Sequence, residues 1–461
     1  MKTDSDRQLD MSYAGDDRFS RLLKSSTFFT MLELHDTRKN SPGTLRRELL
    51  EQAAAEPEIR ALLVDDRLLD PEDDGAFELI QESIVRTEKP VVAVISGKDA
   101  LRDNVVSKLN RRRTANVRDF LAVTGNLLHA QHEAGIAVPP GEYEDSIRIL
   151  RTAAESGADN CVGVTVNPFK YTPEDQMAQY AKLMRKVNNG AEYIVSQAGW
   201  DMRKYQELLW FLHCRSVMKP LLARVLLWSG SSKMQASMPG VPVSLKTATT
   251  ADVPGAALEM TALVALGCRL MGYSGVILAG IEDASTLKAL LEKIREYEEK
   301  WPEYKVWCSE WNRRYGETSF IPYSETLSRQ PGFYLYGALM DPEKSDFDPM
   351  EARPAMQDIR EPSLKDRMQL KVHGTDWPDW IKRTAGKFTG SDPDDAEYLA
   401  PCFGLNNEEC PKRLVLGPCG GSFADGTCEC GGLPCFFQRV IRLAHHGKLM
   451  EALEDSGRVS E

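Results

Sequence analysis

Cysteines are the residues of this sequence whose type and spacing most clearly indicate chemistry. The chain has ten, and six of them crowd into one segment near its C-terminal end. These six are Cys402, Cys410, Cys419, Cys428, Cys430 and Cys435. Thiolates are soft ligands for zinc and for iron–sulfur clusters, and four of them complete either kind of site. In a reducing compartment such crowding favours a metal over disulfides.

The ligands that we predict are Cys410, Cys419, Cys428 and Cys435, with Cys402 and Cys430 as non-ligands. The segment is rich in glycine, which lets the backbone curl tightly enough for thiolates to converge. Its spacing matches neither a zinc ribbon nor a ferredoxin run of cysteines. Both a structural zinc and a [4Fe–4S] cluster that relays electrons therefore stay open.

Eight short apolar runs precede this segment and alternate with helical stretches. They are FFTMLEL from Phe28, ALLVDD from Ala61, PVVAVIS from Pro90, DFLAVTG from Asp119, CVGVTVN from Cys161, EYIVSQ from Glu192, PLLARVLLW from Pro220 and GVILAG from Gly275. Runs this uniformly apolar indicate parallel strands covered by helices. The sequence therefore predicts a (β/α)8 TIM barrel, with a doubly wound open sheet as the alternative because strand count does not prove closure.

The helix after the fifth run has the clearest start and end signals. Thr172 offers an N-cap, Pro173 suits the first helical position, and apolar residues recur at helical spacing until Gly190. Along the whole chain we predict a mobile N-terminal tail at 1–20, the barrel at 21–300, a connector packed on it at 301–399 and the cysteine-rich metal-binding module at 400–461. Three tryptophans of the connector, Trp301, Trp307 and Trp311, are expected to pack rather than to bind a cofactor.

Charge and hydropathy exclude other classes of protein. The formal net charge of −11 argues against sequence-independent binding of nucleic acid. No apolar run approaches the roughly 20 residues that span a bilayer, and the N-terminus is polar, unlike a signal peptide. We therefore expect a cytoplasmic protein without membrane insertion.

Two segments resemble a known family. RKVNNGAEYIVSQAGWD, from Arg185 to Asp201, is similar to a hallmark of methylenetetrahydrofolate reductases, and the CPK…GPCGG…C…C tail resembles the cysteine-rich C-terminal domain found with some of them. The resemblance implies a TIM barrel that holds FAD, binds NAD(P)H or another electron carrier, and moves a hydride to the methylene carbon of a tetrahydrofolate. The active site of such a barrel lies at the C-terminal ends of its strands.

The resemblance also implies roles for two strand-end residues. Glu33 falls at the position of the family's catalytic glutamate, a general acid whose pKa we expect to be raised in a partly dry barrel mouth. Gln197 matches the glutamine that hydrogen-bonds the pterin. Without the resemblance, Glu33 would be interpreted as a surface acid and Gln197 as a residue bonding the barrel rim.

The predicted flavin contacts depart from the family pattern. Thr124-Gly125-Asn126 stands where the family has Arg-Gly-Asp, and the loss of that acid is expected to raise the flavin potential. Arg185 and Lys186 keep a basic pair for the flavin phosphates. Gln179 and Lys182 replace an Asp and an Asn that contact the flavin, and His35-Asp36 replaces a Pro-Pro pair. Either the flavin is held differently or the barrel has lost it.

These observations lead to three hypotheses. The first is a flavin-dependent oxidoreductase that interconverts 5,10-methylene- and 5-methyltetrahydrofolate, with an electron-transfer protein that supplies electrons through the cysteine module. The second is a tetrahydrofolate-dependent methyltransferase of a demethylation pathway, with a corrinoid protein as partner. The third is a non-catalytic, metal-containing subunit that recruits a reductase. Self-association is compatible with all three.

Overall fold

Eight parallel strands form the wall of a closed barrel in the computed structural model of this protein. They are β1 (Phe29–Leu34), β2 (Ile59–Val64), β3 (Val91–Ser96), β4 (Asp119–Val123), β5 (Cys161–Val166), β6 (Tyr193–Ser196), β7 (Leu221–Leu226) and β8 (Gly275–Ala279). Each strand pairs with the next, and β8 pairs with β1 to close the ring. The predicted TIM barrel is confirmed, and the open doubly wound sheet is wrong.

Helices alternate with the strands and continue beyond the barrel. They are α1 (Phe19–Lys24), α2 (Gly43–Ala55), α3 (Gly75–Thr87), α4 (Arg102–Thr114), α5 (Ser146–Ser156), α6 (Pro173–Asn188), α7 (Met202–Cys214), α8 (Val253–Met271), α9 (Ala284–Lys300), α10 (Tyr304–Tyr315), α11 (Leu364–His373), α12 (Phe436–His446) and α13 (Met450–Asp455). The structure describes residues 19–25, 27–35, 43–66, 75–98, 102–125, 143–157, 159–228, 253–315, 333–344, 359–373, 400–423, 425–430 and 432–455.

The interior of the barrel is filled by side chains from alternate positions of the strands. Met31, Leu63, Val195 and Leu222 belong to this inner cluster, whereas their chain neighbours pack outward against the helices. Successive side chains of a strand point to opposite faces, so the residues two positions farther along also point inward. Those residues are Glu33, Asp65, Gln197 and Arg224, at the C-terminal mouth.

Helix α1 closes the opposite end of the barrel. Phe19 and Leu23 join the inner cluster, and the Phe19 ring meets Tyr193 edge to face with centroids 5.2 Å apart. The helix begins at Phe19, inside the stretch 1–20 that was predicted as a tail, because this ring is needed to fill the barrel floor. Residues 1–18 lie outside the described part of the chain.

Helix α10, near the start of the predicted connector, packs on the barrel helix α8. Trp301, Trp307 and Trp311 are buried, and the Trp307 indole donates a hydrogen bond to the Leu263 carbonyl at 3.0 Å. Its partner helix α8 contains the one described segment, Pro254–Met271, that is long and apolar enough to cross a bilayer, so the prediction that no apolar run approaches this length is wrong. Most of that segment is buried against neighbouring elements of the barrel, which is the behaviour of a core helix.

Helix α6 joins the barrel to the C-terminal module. The predicted N-cap is confirmed, since the Thr172 hydroxyl accepts a hydrogen bond from the Asp175 amide and Pro173 opens the helix. Both α12 and α13 of the module pack along α6. One helix that follows a barrel strand therefore carries the docking surface for the cysteine-rich segment.

Candidate functional site

The mouth of the barrel holds a carboxylate, a guanidinium and an amide in one network. Arg224, just before the end of β7, donates hydrogen bonds to both carboxylate oxygens of Glu33 on β1. The same guanidinium lies 3.4 Å from the side-chain oxygen of Gln197, which follows β6. Glu33 is 1% exposed and Arg224 is 25% exposed, so the network reaches solvent at the Arg224 side. Glu33 and Gln197, predicted separately, are thus joined through Arg224.

His35 and Asp65 extend this network across the mouth. The two imidazole nitrogens of His35 lie 3.1 Å from a Glu33 oxygen and 3.3 Å from an Asp65 oxygen. Burial lowers the pKa of His35, but hydrogen bonds and charge from Asp65 and Glu33 outweigh it and raise this pKa to about 9. The imidazole is therefore charged at neutral pH.

The protonation state of Glu33 differs from the prediction. Burial raises its pKa, but the charge of Arg224 and the hydrogen bond and charge of His35 lower it further, to well below the usual range. The expectation of a pKa raised towards neutrality is wrong, because the mouth supplies two cations beside the carboxylate. Glu33 is ionised in this state, and its catalytic role stays a prediction.

Glu33, His35 and Asp65 could also be considered as cation ligands. One ligand atom from each lies within 4.8 Å of the others, in the one such group among the described residues. Arg224 already engages both oxygens of Glu33, and His35 carries a positive charge when it bonds the two carboxylates. The arrangement is therefore a balanced network of ion pairs rather than a cation site.

The predicted flavin contacts at the end of β4 have structural partners instead. The Thr124 hydroxyl bonds the Ser146 hydroxyl at 3.2 Å and so ties β4 to the start of α5. Gly125 has φ +86°, and a Cβ there would lie 2.6 Å from the Ser96 hydroxyl, so both its conformation and its surroundings require glycine. Asn126 lies outside the described residues.

Arg185 and Lys186, predicted to meet the flavin phosphates, are buried within the fold. Arg185 is 2% exposed, and its guanidinium donates to the carbonyls of Leu453 and Pro401 in the C-terminal module. The Lys186 ammonium donates to the Thr165 carbonyl, and burial lowers its pKa to about 7. Arg185 and Lys186 do not fit the flavin phosphates, because their donors already serve protein carbonyls. Their flavin roles stay predictions that this arrangement disfavours.

The cysteines of the C-terminal module gather around one small cavity. Its volume is about 20 Å³, and its lining includes all four predicted ligands, Cys410, Cys419, Cys428 and Cys435. Cys430 lines the same cavity, although it was predicted as a non-ligand. Cys402 is fully buried beside it, and its thiol donates to the Val415 carbonyl at 3.2 Å.

A short hairpin brings the last cysteines to the cavity. Thr427 and Pro434 pair in antiparallel fashion, and the Cys428 amide donates to the Leu433 carbonyl at 2.6 Å. Cys435 then stands at the N-cap of α12. A hydrogen bond from the Cys430 thiol lowers the pKa of Cys428 to about 7. The hairpin therefore delivers one readily ionised thiol and one helix-capping thiol to the same place.

The chemistry of this donor set fits a metal or cluster. Burial raises the pKa of Cys410 to about 11 and also raises that of Cys419 and Cys435, so their thiolates need positive charge nearby. Both zinc and an iron–sulfur cluster supply such charge to cysteine thiolates, so the donor set suits either one.

Two lysines beside the cavity were missed by the sequence analysis. Lys170, from the loop after β5, is 1% exposed and donates to the carbonyls of Gly420 and Ser422. Lys412 lies 2.6 Å from a Glu429 oxygen and donates to the Gly125 carbonyl at 2.8 Å. Neither has a sequence signal. Arg224 did have one, since it is the charged residue within the apolar run PLLARVLLW at an inward position.

Comparison with protein families gives two matches on this chain. Residues 74–251 match the family described as methylenetetrahydrofolate reductase. Residues 402–459 match the family described as methylene-tetrahydrofolate reductase C terminal. Together the two matches reproduce the fused arrangement of barrel and cysteine-rich domain. No curated protein matches the chain.

Comparison with solved structures also gives matches over part of the chain. An uncharacterized protein from Clostridium thermocellum, described as binding two copies of 5-methyl-5,6,7,8-tetrahydrofolic acid, is 10% identical with a TM-score of 0.43, covering 61% of this chain and 99% of that one. Phosphoenolpyruvate phosphomutase from Streptomyces platensis subsp. rosaceus is 12% identical with a TM-score of 0.34, over 61% and 85% of the two chains. Similarities this low carry no inference about activity.

Proposed function

The chain belongs to the methylenetetrahydrofolate reductase family, and from that premise we propose that it binds a tetrahydrofolate in the mouth of its barrel. We propose further that it interconverts 5,10-methylene- and 5-methyltetrahydrofolate in cytoplasmic one-carbon metabolism. The observation that carries the proposal is the convergence of Glu33 and Gln197 on Arg224. Family position alone suggested the first two residues, and the barrel register adds the third.

The mouth offers the groups that a pterin needs. A pterin ring presents hydrogen-bond donors and acceptors along one edge, and the Gln197 amide can both donate and accept. Arg224 fixes the carboxylate of Glu33 through two charge-assisted hydrogen bonds, so Glu33 is held in one orientation before substrate arrives. Positioning of this kind removes orientational freedom in advance of the reaction.

The ionised state of Glu33 bears on the direction of proton transfer. Reduction of the methylene compound consumes a hydride and a proton as the five-membered ring opens, and oxidation of the methyl compound releases both. A carboxylate with a depressed pKa can accept a hydrogen bond or a proton, but it has no proton to donate. In our proposal, Glu33 therefore serves as acceptor in the resting site and becomes an acid only when Arg224 moves away from it.

The C-terminal module supplies a place for a metal. Cys410, Cys419, Cys428 and Cys435 would hold it, with Cys430 as a fifth candidate at the same cavity. Zinc would stabilise the module, whereas an iron–sulfur cluster would carry single electrons. Iron and zinc analysis of anaerobically purified protein distinguishes them, and a content of zinc alone would contradict the cluster.

A methyltransferase is the second candidate, and one observation favours it. Of the two basic residues of α6 that were predicted to hold FAD, Arg185 bonds the C-terminal module and Lys186 bonds the Thr165 carbonyl of β5. A folate-binding barrel without flavin could transfer the methyl group of 5-methyltetrahydrofolate to a corrinoid without any hydride carrier. The reductase hypothesis instead needs NAD(P)H or another carrier that binds at a different place.

One anaerobic assay separates the two functions. Protein and 5-methyltetrahydrofolate are incubated either with a two-electron acceptor or with a reduced corrinoid, and the folate products are analysed. We expect 5,10-methylenetetrahydrofolate that depends on the electron acceptor. Tetrahydrofolate formed together with methylcorrinoid would support the methyltransferase instead. Tight folate binding without either product would contradict both and would leave the barrel as a partner subunit.

A further inference from the structure

Helix α6 presents a row of polar side chains to the C-terminal module. Gln179, Lys182, Arg185 and Lys186 recur at helical spacing, and we call them the α6 face. These are the positions at which the resemblance places contacts to FAD. All four side chains are buried, so the α6 face is internal to the fold.

The middle of the α6 face contacts the module backbone directly. The Lys182 ammonium lies 2.7 Å from an Asp145 oxygen and 3.1 Å from the Gly417 carbonyl. A Cβ on Gly417 would come within 2.8 Å of the Lys182 side chain, and the residue has φ +124°. The backbone of the module therefore lies against the helix without room for a ring or a phosphate between them.

Both ends of the α6 face are closed in the same way. At one end the Arg185 guanidinium bonds the Pro401 carbonyl at 3.2 Å and the Leu453 carbonyl. Just before the start of α6, in the loop after β5, Asn167 and Lys170 both donate to the Gly420 carbonyl, at 2.8 and 2.9 Å. Lys412 of the module donates a hydrogen bond to the Gly125 carbonyl, which follows the end of β4. The module thus contacts Gly125, Lys182 and Arg185, three of the described positions to which flavin contacts were assigned.

We propose that the C-terminal module occupies the place of the flavin dinucleotide, so that this chain does not bind FAD along α6. The inference deepens the proposed function and rests on it for the meaning of the barrel mouth. Protein carbonyls bond Arg185 and Lys186, and the Asp145 carboxylate bonds Lys182, in place of phosphate oxygens. A hydride carrier for this enzyme therefore binds elsewhere, as a dissociable cofactor or on a partner protein.

Hydrogen exchange of the full metal-loaded chain with and without excess FAD tests this proposal. We expect slow exchange over residues 173–188 that FAD does not change. Flavin retained through gel filtration without added protection of 173–188 would also support the proposal, because it would place the flavin elsewhere. Stoichiometric FAD that further protects 173–188 would overturn it. Folate binding is measured separately, so failure of the proposed function is distinguishable.

Variants of Arg185 provide a second test of the proposal. If Arg185 anchors the module, Arg185→Ala accelerates exchange in residues 450–455 by about tenfold or more and leaves flavin content unchanged. If it binds phosphate, Arg185→Ala lowers FAD affinity instead, which would overturn the proposal. If the alanine variant does not fold, Arg185→Lys, which keeps the positive charge, is measured in its place. Arg86→Ala, in an exposed ion pair of α3, is the control and should change neither quantity.

Discussion

The barrel mouth and the α6 face carry similar numbers of charged side chains but use them differently. In the mouth, Arg224 and His35 pair with the carboxylates of Glu33 and Asp65, and part of the network is exposed. On the α6 face, Arg185 donates to backbone carbonyls and is buried. Charges that pair with side chains in a partly open site can be redirected to a ligand. Cations that satisfy backbone carbonyls have become part of the interior.

This difference shows why family position alone does not assign a binding site. Arg185 and Lys186 have the residue types and spacing of a phosphate site, yet their surroundings give them a structural role. Gln197 and Glu33 have less distinctive types, yet the register of the barrel brings them to the same opening. Variants that alter one region at a time should separate the two roles, and their expected effects run from the largest to the smallest.

The largest effect is expected from breaking the buried ion pair in the mouth. Glu33→Gln leaves Arg224 and the charged His35 without their shared carboxylate, which should lower the free energy of unfolding by about 3–5 kcal/mol. Denaturant unfolding measures it. The double variant Glu33→Gln, Arg224→Met should recover part of the loss because it removes the orphaned cation. Glu51→Gln, in an exposed pair with Arg47, should have no measurable effect. Equal losses in the single and double variants would contradict this account.

A smaller effect is expected from Lys170→Met in the region of the module. Loss of its ammonium leaves the buried carbonyls of Gly420 and Ser422 with fewer donors, at a cost of about 1–3 kcal/mol. Metal should also leave the module faster in the presence of a chelator. Lys89→Met is a matched control, since Lys89 also donates to two carbonyls, those of Ala53 and Glu56, in a different part of the barrel. Faster metal loss in both variants would show that the effect is not specific to the module.

The effect of pH is the smallest when it is taken over a single pH unit, and it concerns the mouth. The pKa of His35 is raised from 6.5 to about 9, so its contribution to stability is complete below pH 6.5 and is lost as pH rises through 9. The free energy of unfolding should therefore fall over this window, by at most about 1.4 kcal/mol per pH unit from this residue. His35→Gln should remove that part of the slope. A wild-type imidazole that titrates below pH 7 by NMR would contradict the network.

Local signals in the sequence were sufficient to predict the barrel strands, the start of α6 and part of the candidate site. Uniform apolar runs predicted all eight strands, and Thr172 with Pro173 predicted the start of α6. The inward positions of Glu33 and Gln197 follow from strand alternation. The spacing of cysteines also predicted a shared cavity, although it did not include Cys430 among its lining residues.

Tertiary pairing explains what the sequence did not predict. Arg224 contacts Glu33 because closure of the barrel places β7 and β1 on either side of β8. No local sequence pattern encodes this relation. Its charge reverses the expected pKa shift of Glu33. The role of Arg185 depends on where Leu453 and Pro401 fold back on α6, more than 200 residues later in the chain. Docking of one segment on another follows from shape and hydrogen bonding, which composition does not reveal.

A calorimetric titration with 5-methyltetrahydrofolate tests the central claim that folate binds in the mouth and not along α6. We predict one bound folate per chain, an affinity at least about tenfold weaker in Gln197→Leu, equivalent to about 1.4 kcal/mol, and no change in Arg185→Ala. Weaker binding in Arg185→Ala with unchanged binding in Gln197→Leu, or no binding by the wild-type chain, would contradict the claim.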